Sequence, residues 1–195
     1  MKYKPQVNMK RIFIAVRIDP TEALKTMFSD FRTGLKDERI KWTEMEKFHI
    51  TLVFLGDTEE DKIESVSEML KGVCMGFGDF NITIKGTGIF KNLKDPRVIW
   101  TGVEPSERLI KLHGSVKLGL KDTDITIEDR PYRPHLTLGR INKIKDIETL
   151  KALITRYQNT DIQRQAVNEV ILYESLLMHS GAVYKPLGKY PLVDK

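Results

Sequence analysis

The 195-residue sequence predicts an α+β fold in which two interlocked lobes form a single domain over residues 1–195. Three observations lead there. β-prone runs alternate with helical ones in the order strand, helix, strands, and that order repeats with similar content in each half. No low-complexity stretch or Gly/Ser linker parts the halves. Each half also carries His-x-Thr-Leu inside an apolar, β-prone run.

Taken in order, segment 11–18 sets Ile12, Ile14, Val16 and Ile18 against Phe13 and Ala15. Both faces are apolar, which predicts a central strand. Asp19 is then expected as an N-cap, with Pro20 at the first helical position and Glu22 closing a capping box. Leu24, Met27, Phe28, Phe31 and Leu35 follow at helical spacing. Strand-forming sequence runs from Trp42 to Gly56, and a second helix is expected from about Thr58. Its stripe is Ile63, Val66, Met69, Leu70 and Val73.

Strands are predicted over 81–85 and 97–103, parted by turn chemistry at Asn92–Pro96. A third helix, from about Ser106, aligns Leu109, Leu112, Val116 and Leu120. A short strand is expected around Ile125 and Ile127, and another from His135 to Ile141. A fourth helix carries Ile147, Leu150, Leu153, Ile154 and Tyr157. Strands near 167–172 and 175–184 close the chain.

The charge balance bounds the partners. Net charge is +5 and the pI about 9.2, a mild excess that fits a solvated surface and leaves room for a polyanion. No run approaches the roughly 18 apolar residues of a membrane span, so no membrane partner is expected. Basic residues precede the apolar run in MKYKPQVNMKRIFIAV, but DPTEALK after it reads as a helix start and not as a cleavage site. Cys74 is the single cysteine, which excludes a disulfide framework or thiolate cluster. A cytoplasmic location is expected.

The chemistry concentrates in the repeat. Residues 48–56 read FHITLVFLG and residues 134–140 read PHLTLGR. On a strand, side chains at i and i+2 share a face, so His49 and Thr51 point together, as do His135 and Thr137. With four histidines and 15 threonines, about 0.3 His-x-Thr matches arise by chance. Two matches on corresponding strands are a different matter. One neutral and one protonated imidazole suit a reaction needing base and acid together near neutrality. The threonine hydroxyls can donate to phosphate oxygens. No Asp or Glu beside either motif completes a nucleophilic triad, and none supplies a zinc ligand, so neither metal nor cofactor is expected.

These segments resemble the two-histidine phosphoesterase superfamily, and within it the RNA 2′,3′-cyclic phosphodiesterase (2′-5′ RNA ligase) family. RIFIAV is similar to that family's opening strand, FHITLVFLG to its first motif and RPHLTLGR to its second. GTGIFKNLKDPRVIWTGV resembles the hairpin between motifs, and ILYESLLMHSGAVYKPLGKYPL the closing strands. The resemblance implies pseudo-symmetric lobes with antiparallel sheets around a central cleft that carries both motif strands. It implies His49 as general acid, His135 as general base, and Thr51, Thr137 and Arg140 as phosphate-binding residues. Strict alternation points Arg140 away from His135, and Gly139 is where that alternation can break.

The implied substrate is RNA with a 2′,3′-cyclic phosphate end, tRNA fragments among the candidates, acted on by a monomer. Hydrolysis leaves a 2′-phosphate; run backwards, the same pair ligates a 5′-hydroxyl. ADP-ribose 1″,2″-cyclic phosphate, 2′-5′ oligonucleotides and non-catalytic RNA-end binding stand as alternatives. His113 and His179 read as structural. Trp42, Phe48 and Tyr132 read first as packing residues, with base stacking as their functional alternative. Lys85, Lys91, Lys94, Arg97, Arg130, Arg133 and Lys143 read as solvated charges that can line an RNA path if the motif strands meet. The approach DRPYR and the Lys91–Arg97 hairpin are the asymmetric surroundings that can orient the sugar.

Overall fold

A computed structural model describes residues 8–104, 107–127, 131–178 and 181–194. Nine strands and four α-helices are found among them: β1 Met9–Arg17, α1 Glu22–Gly34, β2 Arg39–Trp42, β3 His49–Glu59, α2 Lys62–Cys74, β4 Phe80–Phe90, β5 Val98–Glu104, α3 Glu107–Gly119, β6 His135–Lys143, α4 Ile147–Tyr157, β7 Asp161–Val167, β8 Glu169–Met178 and β9 Gly181–Pro191. The strands run in the spatial order β7-β4-β5-β6-β3-β1-β8-β9, with β2 also paired to β6, and the pairings between them are antiparallel.

The path divides at its middle. β7, β4, β5, β6 and β2 form one half; β3, β1, β8 and β9 form the other. The halves meet where Ile50 of β3 opposes Leu136 of β6. Helix α1 leaves β1 yet packs on α4 and β7 of the far half, while α2 and α3 pair over β3. These helices thus carry contacts across the middle of the sheet. Each helix buries one stripe: Leu24, Met27, Phe28 and Phe31 on α1, Val66 and Leu70 on α2, Leu109, Leu112 and Val116 on α3. Each such side chain removed from water contributes about 1.5–3 kcal/mol. β1 is buried on both faces from Ile12 to Val16, as its two apolar faces predict.

Local expectations fail in five places. Asp19 does not cap α1, which starts at Glu22 after Thr21 with no side-chain cap. Long-range partners hold that loop instead: Asp19 N–H donates to Gln165, Thr21 N–H to Gln163, and Gln163 Nε2 to the Asp19 carbonyl. The second helix begins at Lys62, because Thr58 and Glu59 still pair with Lys10 and Met9 in β3. Ile125 and Ile127 form no strand; they pack against the core from an irregular segment. The expected strand 175–184 is two strands, with Met178 opposite Gly181. β7 is not expected from the sequence, since its buried Gln163 breaks the apolar pattern while serving the Asp19–Thr21 loop.

Candidate active site

His49 and His135 are the first residues of β3 and β6, each immediately before the junction pair Ile50–Leu136. Their surroundings are built alike. His49 Nδ1 lies 2.7 Å from the Lys47 carbonyl, and His135 Nδ1 lies 2.7 Å from the Arg133 carbonyl. A carbonyl only accepts, so Nδ1 carries the hydrogen in both rings. In the neutral rings Nε2 is left as a lone pair; in the protonated rings it becomes a donor.

Aromatic walls position both rings. Phe13 and Tyr184 flank His49 at 5.0 and 5.2 Å, and Phe90 meets His135 edge-on at 4.6 Å. This enclosure sets the electrostatics. Desolvation pushes both histidines below their ordinary 6.5, despite the carbonyl bonds that favour the charged form. The positive charge of Arg140 lowers both further, and His135 adds to the lowering at His49. Those mutual effects bring the three groups into one electrostatic site.

The two motif strands share one burial pattern over seven residues from the histidine. Ile50, Leu52, Val53 and Leu55 are buried in one; Leu136, Leu138, Gly139 and Ile141 in the other. Two consecutive buried residues mark a break in alternation. In β6, Thr137 pairs with Trp100 and Gly139 with Ile99, so Leu138 is an extra residue. In β3, Thr51 pairs with Ala15 and Val53 with Ile14, so Leu52 is the extra residue. The bulge returns Arg140 to the face of His135 and Thr137. It returns Phe54 to the face of His49 and Thr51 in the same way. Gly139 is required beside the bulge: a Cβ there would stand 2.9 Å from both Ile40 and Trp42.

Two concavities flank the histidines. One of about 520 Å³ is lined by Thr51, Phe54, Phe90, His113, Lys117, Tyr132, Arg133 and His135. His113, read as structural from its helix stripe, lies in this wall with its ring parallel to Tyr132 at 4.0 Å. Burial raises the Tyr132 phenol, and its hydroxyl has no hydrogen-bond partner among the described residues. The other concavity, about 140 Å³, is lined by Lys41, Trp42, Lys47, Arg140, Tyr184 and neighbours.

Other expected contributors separate. Phe48 is 1% exposed and packs on Phe28, which leaves it no face for a base. Lys85 is paired with Glu104 and Asp161, and Lys91 and Arg97 share Asp95, so the hairpin's charge is largely answered internally. His179 and Arg130 lie outside the described residues. Phe13, Phe54, Lys41 and Tyr184 border the histidines or the concavities beside them, and sequence reasoning misses them. Phe54 alone has a local signal, its place in the first motif matching that of Arg140 in the second.

A family model described as the 2′-5′ RNA ligase superfamily matches residues 20–176. A Methanothermobacter thermautotrophicus protein named RNA 2′,3′-cyclic phosphodiesterase is 34% identical over 189 residues, covering 93% of this chain and 98% of that one. One of the same name from Thermotoga maritima is 35% identical over 179 residues, covering 91% and 92%. Among solved structures, TT0787 of Thermus thermophilus superposes with a TM-score of 0.78 at 25% identity, covering 93% and 97% of the chains. E. coli LigT complexed with 3′-AMP gives 0.73 at 24% identity, covering 95% and 99%. By the match over most of its length and by its paired His-x-Thr strands, the chain belongs to the 2′-5′ RNA ligase superfamily.

Proposed function

We propose that this protein is an enzyme that hydrolyses 2′,3′-cyclic phosphate ends of RNA to a 2′-phosphate and a free 3′-hydroxyl. The observation that carries this reading is the matched pair of Nδ1–carbonyl tethers, which leaves two Nε2 atoms for proton transfer beside one guanidinium. The shared name of relatives about one-third identical over most of the chain supports the same reaction class.

In the reaction, His135 Nε2 takes a proton from water as its oxygen attacks phosphorus in line. The bond from phosphorus to the 3′-oxygen breaks, and its electron pair leaves with that oxygen. His49 Nε2–H supplies the proton that completes the hydroxyl. Thr51 and Thr137 donate to the non-bridging oxygens, and Arg140 offsets their growing charge. Both rings are held below their ordinary value in the free protein, and an anion at the site opposes that shift. The cyclic phosphate is that anion: its negative charge favours imidazolium.

His49 is boxed by Phe13 and Tyr184, and His135 adds to the lowering of its value. The product isomer shows which phosphorus–oxygen bond breaks. Incubation with a short cyclic-phosphate-ended RNA, followed by phosphorus NMR, gives a 2′-phosphate under the proposed assignment. A 3′-phosphate overturns it. Binding without conversion leaves an RNA-end binder, and turnover of ADP-ribose 1″,2″-cyclic phosphate in preference changes the substrate class.

A further inference from the structure

Lys41 and Arg140 are directly opposed across the β2–β6 ladder. Like charges in that relation destabilise a sheet. Neither is bonded to an acidic side chain among the described residues. The third base in their concavity, Lys47, is already paired with Glu44 at 2.8 Å. Lys41 also reaches over the gap to β9, where its Nζ would stand 3.4 Å from a Cβ on Gly181. Two positive charges with no acidic partner among the described residues therefore converge on a hollow, also lined by the Lys47-paired Glu44, that opens beside His49 through Tyr184.

The opposite arm of the cleft differs in kind. There the position equivalent to Arg140 is Phe54, 47% exposed, in a wall shared with Phe90 and Tyr132. Aromatic faces suit a nucleobase, and paired cations suit a phosphodiester. We infer that Lys41, set beside the Arg140 that serves the cyclic phosphate, forms a subsite for the phosphodiester on the 5′ side of the terminal nucleotide, which selects RNA ends over free cyclic mononucleotides. This rests on reading the histidine cleft as a cyclic-phosphate site.

The test compares adenosine 2′,3′-cyclic phosphate with its 5′-phosphorylated form, using the full chain. The 5′-phosphate should raise kcat/KM about tenfold, chiefly through KM, as one charge-assisted contact implies. In Lys41→Gln that ratio should fall to about threefold or less, and Lys41→Arg should restore it, since both cations donate to phosphate oxygens. Lys111→Gln, an exposed change on α3, should leave the ratio as in the unaltered protein. A starting ratio near one, or an unchanged ratio in Lys41→Gln, overturns the subsite while leaving the hydrolysis reading intact. Calorimetric titration with adenosine 2′-phosphate and adenosine 2′,5′-bisphosphate separates the converse case. Tighter binding of the bisphosphate that Lys41→Gln abolishes, in a protein showing no turnover, upholds the subsite and removes the reaction.

Discussion

Ile50 and Leu136, each the residue after a motif histidine, face one another at the point where the two halves of the sheet join. Both are fully buried, at 0% and 1% exposure. The histidine spacing is therefore set by packing behind the cleft as well as by hydrogen bonds within it. Leu136→Ala should cost about 2–5 kcal/mol in equilibrium denaturation, the range for cavity formation in a tight core. A loss under about 1 kcal/mol would show that the joint collapses freely and does not fix the spacing.

His49→Ala and His135→Ala should each lower the rate by roughly 10²–10⁴-fold, the usual worth of a positioned acid or base. Circular dichroism should show both variants folded. Near-normal turnover in either would refute a two-histidine mechanism.

The pH profile follows from the signs. Desolvation and Arg140 disfavour imidazolium, so the limbs of kcat/KM, which report the free protein, should centre below 6.5. Bound substrate is anionic and favours imidazolium, so the kcat bell should lie at higher pH. Depressed values also mean that the folded chain binds fewer protons than the unfolded chain just below pH 6.5. These rings' contribution to stability is thus present above that pH and is lost as pH falls through the lowered values. A kcat/KM plateau extending to high pH would remove histidine as the acid.

Chelation should leave turnover intact. Among the described residues no group of three or more His, Cys, Asp or Glu side chains is disposed to hold a metal ion. Loss of activity in EDTA with recovery on adding a divalent ion would require a different mechanism.

Gly139→Val should reduce activity more than it reduces stability. Its side chain would enter the space of Ile40 and Trp42, displacing the bulge that aims Arg140. Comparing kcat/KM with the denaturation midpoint separates the two effects. Equal losses would assign Gly139 to packing alone.

The motif strands are legible in the sequence because a two-residue period and a repeated tetrapeptide are local signals. The helical stripes are legible for the same reason. What escapes depends on partners distant in sequence. The facing of Arg140 turns on a bulge defined against β5, and no property of PHLTLGR fixes that register. Asp19 has the residues of a cap around it, yet glutamines some 145 positions later satisfy the loop instead. Lys41 reads as one charge among 32 until β6 sets Arg140 opposite it.

The tethers on the two imidazoles have a consequence for how such a protein tolerates mutation. The acceptors belong to the main chain at positions 47 and 133, and every amino acid supplies that carbonyl. Drift at Lys47 or Arg133 can alter charge around the cleft without deleting either acceptor. Where a side-chain carboxylate orients the ring, one codon change removes it. Here a saturation screen at these two positions should find ring orientation robust, with the inherited constraint resting on the course of the backbone.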